Sequence, residues 1–198
     1  MMKEHNGMSV PEQGPIFTGL VVYRNLQYRY SFLYPDEWHQ FELDTDGGQG
    51  VILSPYPDDV TTSISTEARD LGMTVTADDL PTLREGFLEG LHQLPGVTIE
   101  REESESIGTL LALDAWCTYD EAGARRKRWT RLYYQGQTQL RMIAQGATIA
   151  QYDYWLPMLN EAMRTLQFGD WWAEATGQTW LPSLDQLPEV EEPGGVGV

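Results

Sequence analysis

The chain has 198 residues and a formal net charge of −17, thirty Asp and Glu against thirteen Lys and Arg. Such an acidic surface repels phosphate backbones and anionic headgroups, which excludes general nucleic-acid binding and docking on an acidic membrane. Hydrophobic residues make up 41% and aromatic residues 11%, enough for a real core, and a lone cysteine, Cys117, rules out an internal disulfide.

Residues 1–15 are polar and carry Gly and Pro, with no apolar run of signal-peptide length, so they read as a flexible arm. A cytoplasmic protein is expected unless a leader has been removed. The longest apolar runs, 20–23 and 110–113, are far too short to cross a bilayer, so no membrane insertion is expected. Strand-like segments follow at 20–23, 28–34, 41–43, 51–54 and 61–69, separated by turn residues such as Arg24-Asn25, Pro35-Asp36 and Pro55-Tyr56-Pro57. Within them Tyr30, Phe32 and Tyr34 share one face of a period-two strand. Pro35 ends its ladder for want of an N–H, and Trp38 returns three residues later. The run 61–69, TTSISTEAR, alternates small and polar residues and suggests an edge or half-exposed strand.

The spacing of Leu80, Leu83, Phe87, Leu91 and Leu94 predicts an amphipathic helix over 79–93. Thr76 or Asp78 would cap it, Pro81 is tolerable in its first turn and Pro95-Gly96 stops it. Strands are then expected at 97–103, 110–119, 125–134 and 139–145. Tight reversals at 120–124 and at Gly136 make the last three an antiparallel meander. A second helix over 149–166 opens on a Thr148/Gln151 capping pair and shows one face of Tyr152, Trp155, Leu156, Leu159, Met163 and Leu166. Pro157 inside it predicts a kink or a restart. From 169 onward the chain is acidic and Pro-bearing, with Trp171, Trp172 and Trp180 and no Lys or Arg. Aromatic rings favour burial, so 171 to about 184 is expected to fold back on the body or on a second copy, while 188–198 stays loose.

Strands grouped rather than alternating singly with helices imply an α+β fold with an antiparallel sheet. The expected organisation is an arm over 1–15, a single α+β domain over 16–168 and a C-terminal extension over 169–198. A core including Phe32, Leu83, Phe87, Leu113, Ala115, Leu156, Leu159 and Met163 is expected.

Candidate sites are few. Cys117 in LDAWCTYD fits a small buried residue better than a nucleophile, which would need an adjacent base. His5, His39 and His92 lack any metal-ligand spacing, and the DxDG of Asp44 to Gly47 lacks the later ligands of a calcium loop. No phosphate-loop, dinucleotide or nucleophile-elbow motif is present. Neither a catalytic residue nor a cofactor nor a metal is expected. One charge anomaly stands out: Arg125, Arg126, Lys127 and Arg128, continued by Arg131 and interleaved with Trp129. It is either a charged edge strand that blocks edge pairing or a docking patch for an acidic partner. With Trp171, Trp172 and Trp180, these residues are the candidate partner-binding set.

The unit YSFLYPDEW, the helix after LGMTVTADDL, the meander over 110–145 and the closing helix ending in RTLQF together resemble the PsbP-like fold. That family includes lumenal oxygen-evolving-complex proteins, a Ran-binding nuclear import factor and bacterial DcrB-like proteins. The resemblance spans roughly 17–168. It implies an antiparallel sheet sandwiched by helices, and binding, assembly or chaperone-like modules rather than enzymes. The expected function is thus a non-enzymatic bacterial interaction or assembly module, with a chaperone or adaptor as its variant, whose partner is another protein. The alternatives are a small-ligand carrier or enzyme with a cleft between sheet and helix, and a structural homodimer.

Overall fold

The computed structural model describes residues 14–45 and 48–169. The readings of residues 1–13, of Asp46 and Gly47 in the DxDG, and of the extension with Trp171, Trp172 and Trp180 lie outside the described residues.

The aromatic unit near the start is a packing device. β1 (Leu20–Asn25) and β2 (Tyr30–Pro35) pair antiparallel with Leu20 opposite Pro35. The short β9 (Gln167–Phe168) adds to the far side of β2. Period-two alternation aims Tyr30 and Phe32 inward, both buried, and the Tyr30 hydroxyl meets Thr66 Oγ1 at 2.9 Å. Pro35 ends the ladder, and the Trp38 N–H closes the turn on the Pro35 carbonyl at 3.1 Å. Trp38 then lies edge-on to Trp155, ring centres 5.6 Å apart, which locks the turn onto the second helix.

The larger sheet runs β3 (His39–Thr45), β4 (Gly48–Ser54), β5 (Ser63–Val75), β8 (Ala124–Gly146), β7 (Leu110–Glu121), β6 (Thr98–Ile107), every pairing antiparallel. β8 is extended over 23 residues, which laid straight would reach about 76 Å. Yet Arg128 donates to Gln145 at 2.9 Å, and Gln139 donates to the Tyr134 hydroxyl at 2.8 Å. Both contacts require the strand to double back near Gly136, whose φ is +59°. Its first arm (124–135) pairs with β7 and its second (136–145) with β5. The reversal expected at Gly136 is therefore made within one unbroken extended element.

Two edge expectations are corrected. The run 61–69 is β5, held between β4 and β8, and the basic run 125–131 lies in the interior, against β7. The edges of this sheet are β3 and β6. β6 carries the acidic TIEREESESI, exposed along almost its whole length, so negative charge guards that edge.

Each face of the sheet takes a helix. α2 (Ile149–Thr165) starts on Thr148, whose hydroxyl accepts the Gln151 N–H at 3.1 Å. It buries Tyr152, Met158, Leu159, Ala162 and Met163 in a core shared with Phe32, Ile64, Leu140 and Met142. Pro157 causes no restart. The residue is exposed, as is Asp153 four positions earlier, so the carbonyl left without a donor faces water. On the opposite face, a 3-10 turn (Ala77–Asp79) leads into α1 (Leu80–His92). Thr76 is the residue fastened there: Asp79 Oδ2 accepts from its N–H at 2.8 Å and its hydroxyl at 3.0 Å. Of the expected α1 stripe only Leu91 is fully buried, with Leu83, Phe87 and Leu94 half-buried and Leu156 of α2 likewise. This helix covers its face of the sheet only in part.

Candidate functional site: a cleft beneath α1

Where α1 fails to cover the sheet, a cleft of about 540 Å³ opens. The helix packs Phe87, Leu88 and Leu91 against Ala115, Cys117 and Tyr119 of β7. The neighbouring strands carry polar and charged side chains on the same face, which resist being sealed under an apolar helix. One wall is Leu83, Gly86, Phe87, Gly90 and Leu91 of α1, with Leu94 from the turn that follows it. The floor is Arg128, Thr130, Leu132 and Tyr134 from the first arm of β8, Gln139, Arg141 and Ile143 from its second, and Glu67 and Arg69 from β5. Alternate residues of each strand share a face, and the reversal at Gly136 makes even positions of one arm meet odd positions of the other.

The floor is electropositive. Three guanidinium groups face one carboxylate, Glu67, which is ion-paired to Arg141. Arg69 Nε donates to Gln139 Oε1 at 2.5 Å. Arg128 donates to the Tyr119 hydroxyl at 2.6 Å and to Gln145, with its guanidinium 4.5 Å from the Tyr119 ring centre. Two of the three charges thus have neutral partners, which orient them without cancelling them. Burial pushes the Tyr119 and Tyr134 hydroxyls up, Arg128 partly opposing it at Tyr119, so both stay neutral donors near pH 7. Thr130 Oγ1 is buried and has no hydrogen-bond partner. An unsatisfied buried hydroxyl costs about 1–3 kcal/mol, and Thr130 is one of the residues of the cleft floor.

The architecture is shared with known proteins. No family model matches the chain, and no curated protein does. Among solved structures, cyanobacterial PsbP from Synechocystis sp. PCC 6803 is similar with a TM-score of 0.54 and 11% identity, covering 76% of this chain and 92% of that one. LpqN of Mycobacterium tuberculosis, described as involved in cell envelope biogenesis, is similar at TM-score 0.51 and 16% identity, over 70% of this chain and 82% of that one. The Ran-binding Mog1p of Saccharomyces cerevisiae gives 0.48 and 11%, over 76% and 95%. The chain has the PsbP-like fold. At these identities the likeness concerns the fold alone.

Within this PsbP-like sheet the basic run does not form one patch. Arg126 and Arg128 fall on the α1 side, while Lys127, Trp129 and Arg131 fall on the α2 side, as a period of two requires. Arg125 is tied to the Gly96 carbonyl at 2.6 Å, to Thr118 at 2.8 Å and to Asp120 at 3.2 Å. Arg126 is 8% exposed, pairs with Glu121 at 2.7 Å and keeps a buried Nε without a partner. Lys127 pairs with Glu100 at 3.1 Å and lies over the Tyr152 ring. Trp129 stacks on Trp116, ring centres 4.7 Å apart, and its indole donates to Asp114 at 2.6 Å. Arg131 binds the same carboxylate at 2.9 Å and the Met163 carbonyl at 2.7 Å. Of the run, only Arg128 reaches the cleft.

Sequence reasoning missed Arg69, Arg141, Glu67 and Thr130. The available signal was a charged face alternating with Thr66, Ala68, Leu140 and Met142 on strands whose other face is core. Cys117 is fully buried, and burial pushes its thiol up, which keeps it an inert thiol. His39 and His92 are exposed, and no cluster of three metal-ligating side chains occurs among the described residues. A second cavity, about 430 Å³, lies between β2, β9 and α2. Ser31 and Gln167 line it with Arg131 and Arg164, and the Ser31 hydroxyl and Gln167 Oε1 are buried without partners. Among the described residues no helix is long and apolar enough to cross a membrane.

Proposed function

We propose that the chain is a non-enzymatic protein-interaction module, adaptor-like, that holds an acidic, partly apolar segment of a partner protein in the cleft beneath α1. One observation carries this reading. On a chain of net charge −17, the cleft combines an excess of guanidinium groups with an apolar helix wall. Arg next to apolar and aromatic groups is the composition of binding hot spots. The cleft lining includes no His, Cys or Lys, and its single carboxylate is tied to Arg141, which suits holding an anion rather than moving protons.

The test is capture from the native host by the wild type and by the Arg69→Glu/Arg141→Glu variant, with Arg101→Glu as a control. Arg101 sits on the edge strand β6 with its side chain 61% exposed. Each reversed cleft charge should weaken binding by about tenfold, near 1.4 kcal/mol. Raising ionic strength should weaken capture by the wild type and by Arg101→Glu, and leave the residual capture by the double reversal little changed. Capture that survives the double reversal, or that falls equally with Arg101→Glu, overturns the assignment.

A further inference from the structure

We infer that the cleft beneath α1 reads spacing: it takes an extended segment of the partner that carries two carboxylates four positions apart, with an apolar side chain midway between them. This rests on reading the cleft as a site for acidic, partly apolar segments, and it states which such segments fit.

Strand register places the charges. Arg128 donates to Gln145 and Gln139 donates to the Tyr134 hydroxyl, so the two arms of β8 lie side by side, 128 next to 145 and 134 next to 139. β5 continues the floor beyond the second arm, with Arg69 opposite Gln139 and Glu67 opposite Arg141. Counted from the Gly136 reversal, the floor thus begins with Arg69, followed by Arg141 with its partner Glu67. An uncharged stretch of Ile143 and Thr130 comes next, and Arg128 lies at the far end. The Arg128 row and the Arg141 row are four residues apart along the second arm, about 13 Å. Each end keeps one net positive charge. Arg128 has the neutral partners Tyr119 and Gln145, and Arg69 stands beyond the Glu67–Arg141 ion pair, bonded to Gln139. The apolar wall follows the same line. Leu83 and Phe87 pack with Leu132 and Tyr134 near the Arg69 end, and Leu91 packs with Tyr119 near Arg128.

Volume sets the conformation of the segment. From the Gln139 row to the Gln145 row is about 20 Å. A helix of that length and 10 Å across fills roughly 1,600 Å³, about three times the 540 Å³ of the cleft. An extended chain is slimmer, and its alternate side chains face one way at about 3.3 Å of rise per residue. Positions i and i+4 of such a chain stand about 13 Å apart on one side, the span from Arg128 to Arg141, and position i+2 lies over Ile143 and Thr130. An odd spacing turns the second carboxylate away from the floor.

The experiment measures binding of two fluorescein-labelled peptides to the full chain by fluorescence anisotropy. Both contain two Glu and one Leu among Ser and Gly. In the first the Glu are four positions apart with Leu midway, and in the second the same residues are reordered so that the Glu are three apart. The first should bind at least tenfold more tightly. Its preference should vanish in Arg128→Gln and in Arg69→Gln, each of which removes the net charge of one end. Arg69 is exposed, so its variant keeps the test intact even where Arg128→Gln fails to fold. Equal binding of the two peptides, a preference that survives Arg69→Gln, or no binding by either peptide overturns the inference. If the peptides bind equally while Arg69→Glu/Arg141→Glu still lowers partner capture, the cleft keeps its function and only the spacing rule is wrong. If neither peptide binds and capture ignores the reversal, both readings fall.

Discussion

Truncating Leu159 and Phe87 to Ala should have unequal costs, because one residue lies in a closed core and the other lines a cleft. Leu159 is 0% exposed in the cluster that joins α2 to both sheets. Removing its three outer carbons forfeits about 2.4 kcal/mol of transfer free energy at 0.8 kcal/mol per carbon. A partly collapsed cavity adds about 1 kcal/mol more, so Leu159→Ala should cost about 3 kcal/mol. Phe87 is half-buried and borders open space on its cleft side, where water and neighbouring side chains can refill the gap. Its truncation should cost about 1–2 kcal/mol, below the 3–5 kcal/mol of a fully enclosed Phe. For a domain of about 150 residues each kcal/mol lowers the melting temperature by about 2–4 °C. Urea titration and calorimetry should thus show a drop of about 6–12 °C for Leu159→Ala and of about 2–8 °C for Phe87→Ala, always the smaller of the two. A Phe87 variant as damaged as the Leu159 variant would mean that α1 seals its face of the sheet and that the cleft is absent in solution.

Asp114, 6% exposed, holds both the Trp129 indole and Arg131. Asp114→Ala should therefore cost about 3 kcal/mol by stranding a nearly buried guanidinium, measured by urea titration; a loss under 1 kcal/mol would show that Arg131 finds another anion. Alkali should destabilise the fold. Burial raises the Tyr30 and Tyr152 hydroxyls above the ordinary tyrosine value near 10. The folded state then keeps protons that the unfolded chain releases, so stability is complete below about pH 10 and falls as pH rises beyond it. The urea midpoint should be flat from pH 7 to 9 and then decline, less steeply in Tyr30→Phe/Tyr152→Phe; an equally steep decline in that variant refutes the assignment.

Local chemistry carried much of the fold in the amino-acid pattern. The Tyr30/Phe32 alternation, the Thr148 cap, the apolar face of α2 and the left-handed Gly136 are each decided within a few residues of themselves. What was not legible is which strand lies beside which. The small polar residues of 61–69 look half-exposed, but Thr66 is buried against Tyr30 and Ala68 against the core. The basic run looked like one patch because side-chain direction alternates invisibly in a list of residues. The cleft was least legible of all. Arg69 and Arg141 are 72 positions apart and meet only because β5 pairs with the second arm of β8, Glu67 opposite Arg141. Their proximity is a property of register, which pattern alone does not encode.

The glycines of α1 bear on whether the cleft is a designed opening or incomplete packing. Gly86 and Gly90 lie one turn apart inside α1, both line the cleft, and neither has an atom within 4 Å of an added Cβ. Steric crowding therefore does not require glycine at either position, and neither is among the residues with positive φ. In a helix interior each costs about 0.5–1 kcal/mol relative to Ala through backbone entropy. Gly86→Ala/Gly90→Ala should accordingly stabilise the protein by about 1–2 kcal/mol, raising the melting temperature by about 2–8 °C. What the glycines provide is width: two added methyl groups project into the space that a bound segment would fill. The same variant should then capture its partner more weakly, by about tenfold if the segment packs against the helix backbone. Stabilisation with undiminished capture would mean that the segment lies against the arginine side only, and Gly86→Leu, which intrudes further, would then have to leave binding intact as well. Loss of capture together with higher stability is the outcome expected of a helix whose backbone is kept bare for a ligand.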